Sequence, residues 1–268
     1  MDETTKVIQD FYNNQVVFEW SRIDNRPEFL LTCRMLDRYI KPDDSVLDIG
    51  GGPGRYTLYY ANKGNDVTLF DLSPENIQFA LKKAAEDSVS ITAIAGDARE
   101  VSSHISEQFD HVLLMGPMYH LLEEHDRITA VNEAIKLLKL GGMLYVSFIN
   151  LFAGIIYGMK YEPDQIASTE AAHIDYLEKV ISQETFTGDA FTKAVFIDHS
   201  KILPFMAQFP LEKLHLFGQE GITSPNELLI RAASPEIYEL WLDYCEKLWE
   251  REDLLNFSEH IMYVGRKI

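Results

Sequence analysis

Short apolar runs separated by polar turns recur along the chain from about residue 45 onward. Five of them are β-rich and bounded by Gly, Asp or Pro, which is typical of buried strands: SVLDIG, NDVTLFDL, ITAIAGD, FDHVLLMG and GGMLYVSFIN. Helical periodicity lies between these runs. Over 74–86 and over 126–139, apolar residues recur every three or four positions and would form one face of a helix.

Strands and amphipathic helices that alternate in this way predict an α/β fold. Near-continuous apolar strands are typical of a parallel sheet covered on both faces. We therefore predict a Rossmann-like, doubly wound, mostly parallel seven-stranded sheet with helices on both faces, whose two closing strands come from PLEKLHLFGQEG and NFSEHIMYVGRKI. Ser73 and Pro74 should begin the first of the two helices, and Gly141 should follow the second.

The rhythm changes outside this core, so we expect four regions. They are an N-terminal helical cap over 1–45, the Rossmann-like core over 46–150, an inserted cap over 151–208, and closing helices and strands over 209–268. The inserted region scatters Phe and Tyr through polar sequence, which suits a mobile cap over a pocket. A rigid helical appendage with its own small core is the alternative.

Composition narrows the partners of this fold. The 268 residues include 42 acidic and 24 basic ones, and a net charge of −18 without a basic cluster argues against nucleic acid as a partner. No apolar run is long enough for a membrane span, and the first residues lack the pattern of a signal peptide. Two cysteines, Cys33 and Cys245, fit a reducing environment better than a disulfide scaffold, so we expect a cytoplasmic protein.

The stretch LDIGGGPGRY, residues 47–56, follows the first strand and precedes a helix. Glycine at this density lets a ligand approach the backbone at the carboxyl edge of the sheet, where ligands bind in this architecture. A dinucleotide fingerprint beginning at Gly50 would need glycine at the position of Arg55, and a phosphate loop of the G-x-x-x-x-G-K-S/T type is absent. The pattern therefore disfavours an NAD-dependent dehydrogenase.

Five stretches, in this order, resemble the motifs of class I S-adenosylmethionine-dependent methyltransferases, the broad group that includes the ubiquinone and menaquinone biosynthesis enzymes. They are VLDIGGGPG, VTLFDLSPENI, AGDA, FDHVLLMGPMYHL and LLKLGGMLYVSF. The resemblance is specific over about 45–150 and too loose over 151–208 to identify a substrate. It implies S-adenosylmethionine as the cofactor and a methyl group moved to a small-molecule acceptor by in-line displacement.

The resemblance also assigns a role to each residue that matches a motif. The cofactor-binding residues that it implies are Asp48, Gly50, Gly51, Gly52, Gly54, Asp71, Leu72, Asp97, Ala98 and Met115. The glycines and Asp48 would meet the methionine end, and Asp71 would accept hydrogen bonds from the ribose hydroxyls. Leu72, Asp97 and Ala98 would contact the adenine, and Met115 would line the sulfonium side.

A general base should stand where the fourth strand opens into the pocket, which points to Tyr119 and His120 as catalytic candidates. A histidine pKa near neutrality suits that role, and ordering of the loop by a hydrogen bond to backbone is the alternative for His120. The stretch HLLEEH, residues 120–125, does not predict a metal site, because histidines five positions apart face different sides of a helix. No metal is predicted.

Two classes of function stay open. The intact motif set favours an enzyme that methylates a small molecule over a non-catalytic S-adenosylmethionine-binding or regulatory module. The Asp/Asn-Pro-Pro-Tyr/Phe motif of enzymes that methylate nucleic-acid amino groups is missing, since the matching place, 115–119, reads MGPMY. Oxygen, nitrogen, carbon and sulfur nucleophiles all use this core, so the acceptor atom stays open, as does the oligomeric state. We expect the insertion and the N-terminal helices to close over the acceptor and exclude water.

Overall fold

Within residues 2–268, which the computed structural model describes, nine strands form one sheet. In chain order, β1 to β9 are Ser45–Ile49, Asp66–Asp71, Thr92–Ala95, Phe109–Leu114, Leu138–Asn150, Phe186–Asp189, Lys193–Ile197, Leu211–Gly218 and His260–Lys267. Strands β3, β2, β1, β4 and β5 lie side by side in that order and are parallel. Strand β9 runs antiparallel to β5, and β8 antiparallel to β9. These seven strands confirm the predicted Rossmann-like core.

Eleven α-helices accompany the sheet in the same described residues, 2–268. In chain order, α1 to α11 are Glu3–Arg22, Pro27–Leu36, Arg55–Asn62, Pro74–Glu86, Val101–His104, Glu124–Lys136, Ala153–Tyr161, Ala171–Ser182, His199–Met206, Glu227–Arg231 and Pro235–Leu248. Helices α2, α3 and α11 bury one face of the sheet, and α5, α6 and α9 bury the other, as doubly apolar strands require. Among the described helices, none combines the length and apolar character needed to cross a membrane.

Helix starts follow local capping signals. The predicted start of α4 is confirmed, because the Ser73 hydroxyl accepts a hydrogen bond from Asn76 N at 3.1 Å and Pro74 occupies the first turn. At the start of α1, Asp2 accepts a hydrogen bond from Thr5 N at 2.8 Å. Both caps satisfy backbone N–H groups that have no partner within the helix.

The predicted end of the helix over 126–139 was wrong. Helix α6 stops at Lys136, and β5 begins at Leu138. Phe109 N donates to Leu137 O at 2.8 Å, so the chain here already pairs with β4. Gly141, with φ of +77°, therefore lies inside β5 and does not cap the helix.

The inserted region adds a hairpin, β6–β7, that the sequence pattern did not predict. Strand β7 pairs in parallel with Ile149 and Asn150, the last residues of β5. On one side of β5, Ile149 pairs with His260 of β9, so β7 lies on the other side. On that same side, β4 pairs with residues nearer the start of β5. The hairpin thus extends the sheet beyond the end of β4.

Residues 151–208 pack in two places. Side chains of β7 and α9, among them Val195, Ile197 and Ile202, belong to the main core between α6 and the sheet. Helices α7 and α8 and strand β6 share a smaller cluster around Tyr176. The division into a core and an inserted cap stays a prediction.

Helix α1 is fastened near both of its ends by arginines of the core. Arg55, the first residue of α3, donates to Trp20 O at 2.8 Å, and its guanidinium carbon lies 4.0 Å from the centre of the Trp20 ring. At the other end, Arg99 donates to Thr5 Oγ1 at 3.0 Å. These contacts hold α1 over the edge of the sheet where the parallel strands end.

Candidate active site

The loop between β1 and α3 contains the predicted glycines. Gly50 has φ of +71°, and a Cβ atom there would lie 2.3 Å from Pro117 Cδ. A Cβ atom on Gly51 would lie 2.4 Å from Asp48 Oδ2. Gly50, Gly51 and Gly52 line a cavity, whereas Gly54 precedes α3 and packs close to α4. The loop therefore has no space for side chains at the two positions nearest Asp48 and Pro117.

Asp48 lies beneath this loop and is 1% exposed. Its Oδ2 accepts a hydrogen bond from Thr57 Oγ1 at 2.8 Å, while Oδ1 is buried and has no hydrogen-bond partner in residues 2–268. Burial raises the pKa of Asp48 to about 7. A buried carboxylate oxygen without a partner, next to a cavity, fits the ammonium group of S-adenosylmethionine, the role that the resemblance implied.

Asp71 ends β2 and lines the same cavity. Its carboxylate accepts hydrogen bonds from Gly52 N and Ser73 N, each at 2.8 Å, and from Asn76 Nδ2 at 3.0 Å. A carboxylate offers about four lone-pair sites, so about one remains for a ribose hydroxyl. Asp71 thus also ties the glycine loop to the start of α4, and its predicted contact with two ribose hydroxyls stays a prediction.

The predicted adenine end of the cavity is crossed by an ion pair that the motifs did not reveal. Arg99 Nη2 lies 2.6 Å from Asp97 Oδ2, and Arg99 Nη1 lies 3.0 Å from Asp126 Oδ2. Ala98 is buried, and Leu72 lines the same cavity as Asp97 and Arg99. Arg99 stands two residues after Asp97 in AGDAR, which is the only local signal of this pair.

Met115 and Tyr119 lie on the connection that follows β4, and both line the cavity. The Tyr119 hydroxyl donates to Ser147 Oγ at 2.8 Å, and Ser147 in turn bonds to Gln219. Gln219 Nε2 donates to Thr32 Oγ1 at 2.8 Å. Burial raises the pKa of Tyr119 well above its ordinary value, so its hydroxyl keeps its proton and serves as a donor.

His120 is buried and makes hydrogen bonds through both ring nitrogens. Its Nδ1 lies 2.9 Å from the carbonyl oxygen of Lys193, which can only accept, so Nδ1 donates there. The other nitrogen, Nε2, then accepts from the Tyr12 hydroxyl at 2.7 Å. Burial lowers the pKa of His120 to about 4, which keeps the ring neutral. This geometry favours the alternative of loop ordering; the role of His120 as a base stays a prediction and would require Tyr12 to move away.

The two histidines of the HLLEEH stretch lie apart, but not because of the predicted helical spacing, since α6 begins only at Glu124. His120 is buried, whereas the side chain of His125 is 77% exposed in the first turn of α6. The two rings therefore do not share an environment.

Charged residues that the sequence reasoning missed form the wall next to Tyr119. Arg22, in the last turn of α1, places Nε 3.1 Å from Glu19 Oε2 and Nη1 3.0 Å from Glu28 Oε2. Glu28, Glu220 and His260 form a second group, here called the acid–histidine cluster, whose ligand atoms lie within 4.8 Å of one another. That spacing is compatible with a metal ion, although none was predicted.

The cavity has a volume of about 550 Å³, within the range for small-molecule sites. One part is formed by the glycine loop and the ends of β2, β3 and β4. The other is walled by α1 through Ile8, Tyr12, Glu19 and Arg22, together with Glu28. Every lining residue in the described part of the chain lies between residues 2 and 126.

Comparisons with known proteins agree with this geometry. The methyltransferase domain family matches residues 46–142, the stretch that contains the glycine loop, Asp71 and Asp97. The glycine/sarcosine N-methyltransferase of Aphanothece halophytica is 26% identical over 188 residues, 67% of this chain and 67% of that enzyme. The ubiquinone biosynthesis O-methyltransferase of Xanthomonas campestris pv. campestris is 30% identical over 128 residues, 46% of this chain and 52% of that enzyme. The chain thus spans about half the length of the ubiquinone enzymes that it matches.

One solved structure has the same fold as this chain along nearly the whole length of both proteins. It is magnesium protoporphyrin IX methyltransferase from Synechocystis with bound SAH, with a TM-score of 0.59 and 13% identity, covering 99% of this chain and 100% of that one. Fold and site together define a Rossmann-like protein built to bind S-adenosylmethionine. Residues 46–142 match the methyltransferase domain family, and the similar enzymes support S-adenosylmethionine as the cofactor.

Proposed function

We propose that this protein transfers a methyl group from S-adenosylmethionine to a small-molecule acceptor. The observation that carries the proposal is one cavity with two unlike parts. The unpartnered Asp48 Oδ1 lies at the glycine loop, and the part walled by α1 brings Tyr12, Arg22 and Glu28 beside Tyr119. A volume of about 550 Å³ suits a cofactor and a compact acceptor, not a polymer.

When bound, the cofactor supplies a methyl group that the acceptor nucleophile takes as the carbon–sulfur bond breaks, and the acceptor gives up a proton. The residues of this chain orient both partners and exclude water, which alone contributes about 7–11 kcal/mol to such a reaction. Asp48 would hold the ammonium group, Asp71 the ribose and Asp97 the adenine side, while the backbone of Gly50 to Gly52 would approach the methionine end. Tyr119, whose proton goes to Ser147, would offer its hydroxyl oxygen as a hydrogen-bond acceptor at the wall of the acceptor part.

We propose a nitrogen or oxygen nucleophile, because the similar enzymes include an N-methyltransferase and an O-methyltransferase by name. The net charge of −18 supports the exclusion of nucleic acid as a partner. The free, buried thiols of Cys33 and Cys245 support a cytoplasmic location. A non-catalytic S-adenosylmethionine-binding module on the same fold is the competing function.

Calorimetry with S-adenosylhomocysteine tests the cofactor site. We expect Asp71→Ala to weaken binding by roughly 2–4 kcal/mol, because it removes buried hydrogen-bond acceptors. Asp66→Ala, an exposed aspartate at the start of the same strand, is the matched control and should bind as the wild type does. Unchanged affinity in Asp71→Ala, or a rise in melting temperature with NAD alone, would contradict the proposal.

The release of S-adenosylhomocysteine then separates the enzyme from the binding module. Wild-type protein should form it from S-adenosylmethionine when offered small amines and phenols, beginning with glycine, sarcosine and catechol. Tight cofactor binding with no turnover on cell extracts that contain the full range of small metabolites would favour the module.

A further inference from the structure

The acid–histidine cluster joins three elements that are distant in sequence. Glu28 lies in the first turn of α2, Glu220 precedes the 3₁₀ segment Gly221–Asn226, and His260 begins β9. Because β9 runs antiparallel to β5, its first residue lies at the edge where β5 ends, and there His260 pairs with Ile149. The cluster thus stands at the same edge as the glycine loop, and Glu28 lines the cavity directly.

Glu220 fixes the position of the His260 ring with two hydrogen bonds. Its Oε1 lies 2.6 Å from Nδ1 of His260, and its Oε2 accepts from the backbone N of the same residue at 3.0 Å. Nδ1 therefore carries a proton, and in residues 2–268 the second ring nitrogen, Nε2, makes no hydrogen bond. The ring centre lies 5.5 Å from that of Tyr119, a residue of the cavity wall.

Two cations, the ring of His260 and the guanidinium of Arg22, stand beside the carboxylate of Glu28, and Arg22 is shared with Glu19. Burial alone would lower the pKa of His260, but Glu28 and Glu220 outweigh it and raise the pKa to about 9, so the ring is an imidazolium at neutral pH. Arg22 from α1 is the second cation. Burial opposes ionisation of Glu28, yet Arg22 and His260 together hold its pKa below the ordinary value. Glu28 therefore presents an ionised carboxylate to the cavity.

We propose that Glu28 is an acceptor-binding residue whose carboxylate takes a hydrogen bond from an N–H or O–H group of the methyl acceptor, with His260 and Glu220 as positioning residues. The inference rests on the proposed function and narrows the acceptor to a small amine or hydroxyl compound with hydrogen on or beside its nucleophilic atom. Since Arg22 and His260 already stand beside Glu28, its carboxylate does not need a further cationic partner and can receive a neutral donor. A neutral amine keeps the lone pair that attacks the methyl group.

A metal ion is the competing occupant of the cluster. It would have to displace the proton of His260 from between two carboxylates and lie beside the Arg22 guanidinium. The two cations that already stand beside Glu28 repel a further cation and favour the acceptor-binding role.

Sinefungin, a cofactor analogue with an amine in place of the methylsulfonium group, tests this role without knowledge of the acceptor. Its amine points toward the position that the acceptor would occupy. We expect Glu28→Gln to lower the ratio of sinefungin affinity to S-adenosylhomocysteine affinity about tenfold in calorimetry at pH 7.5, because a nearby opposite charge is lost. Glu28→Asp should keep most of the preference. Glu133→Gln, a buried glutamate bonded to Ser102 on the other face of the sheet, is the matched control.

His260→Gln should change the ratio in the opposite direction, raising it about threefold, because one of the cations that compensate Glu28 is removed. A merely structural role would change the affinity of both ligands together and leave the ratio unaltered. This opposite sign also tests the proposal by itself if Glu28→Gln does not fold.

Two results would overturn the inference. One is an unchanged ratio in Glu28→Gln; the other is one tightly bound zinc or manganese ion per wild-type chain that His260→Gln loses. If neither ligand binds to the wild type, it is the proposed function that fails, so the two failures are distinguishable.

Discussion

Helix α1 and the inserted region, residues 151–208, were both predicted to cover the acceptor, and the structure gives them different positions. Helix α1 lines the cavity with side chains along its whole length. The inserted region contacts the outside of that wall, where Phe191 lies 6.1 Å from Phe11 and 5.7 Å from His120, centre to centre. The comparison teaches that a cover can have two layers, here α1 as the inner layer and the inserted region as the outer layer. Aromatic composition does not reveal which of the two lines the cavity.

The largest expected effect concerns His120, which joins the two layers because it bonds to Tyr12 of α1 and to Lys193 of the inserted region. Its pKa falls from about 6.5 in an unfolded chain to about 4 in the fold, so the neutral ring stabilises the protein above pH 6.5 and this contribution is lost between pH 6.5 and 4. The loss amounts to about 3 kcal/mol. Urea denaturation over this pH range should show a steeper acid loss in the wild type than in His120→Gln. Parallel curves would mean that His120 does not join the layers as a neutral ring.

A second effect should come from Arg99, which fastens α1 to the core. Arg99→Ala removes ion pairs with Asp97 and Asp126 and the hydrogen bond to Thr5. We expect S-adenosylhomocysteine to bind about 30-fold more weakly, because charge-assisted hydrogen bonds of this kind contribute about 1.5–3 kcal/mol. Arg266→Ala, an exposed arginine paired with Glu212, is the control. Equal affinities of the wild type and Arg99→Ala would show that α1 does not need its contact with Arg99 for the ligand to bind.

Hydrogen exchange measures the two layers separately. With S-adenosylhomocysteine bound, amides of α1 should be protected about tenfold more, since ligand contacts reduce local opening. Residues 186–193 should respond less to this ligand, and more once an acceptor is added if the predicted cap role is correct. Greater protection in 186–193 than in α1 with S-adenosylhomocysteine alone would mean that the inserted region, and not α1, is the layer next to the ligand.

The smallest expected effect is that of Phe191→Ala at the tip of the hairpin. The side chain is 51% exposed, so the free energy of unfolding should fall by only about 1 kcal/mol. Affinity for S-adenosylhomocysteine should stay within twofold of the wild type, because Phe191 lies outside the cavity. Thermal melting and calorimetry on the same preparation check both statements.

The part of the site that the sequence predicted is the part built from local signals. Asp71 ends a strand, the glycines and Asp97 follow one within a few residues, and the order of parallel strands brings such turns to one edge. The predicted seven strands are present for the same reason. By contrast, β6 is short, and β7 pairs with only two residues of β5 although it contains the apolar run AVFI. This run lies outside the regular alternation of strands and helices, so the pattern did not predict its pairing.

The remaining part depends on contacts between residues distant in sequence. Glu28 and His260 meet only in the folded chain, where the antiparallel pairing of β9 with β5 places His260 at the edge that Glu28 of α2 also reaches. The pKa of His120 is set by burial, which lowers it, and by the bond to the backbone carbonyl of Lys193, which raises it. The sequence does not show which backbone carbonyl a side chain will contact, so the residue type of His120 alone suggested a base. Arg55 is a second example of a contact that the sequence does not reveal. Its residue type excluded a dinucleotide fingerprint, but nothing in the sequence showed that it bonds to Trp20 and holds α1.

The unpartnered oxygen of Asp48 has a thermodynamic consequence for ligand binding. With a pKa of about 7, roughly half of the free molecules carry a proton on this carboxyl group at neutral pH. The proposed ammonium group beside Oδ1 would favour the ionised form, so binding near pH 7 would release protons. The heat measured on binding would then vary with the ionisation enthalpy of the buffer, and affinity for the cofactor would decline as the solution becomes acidic.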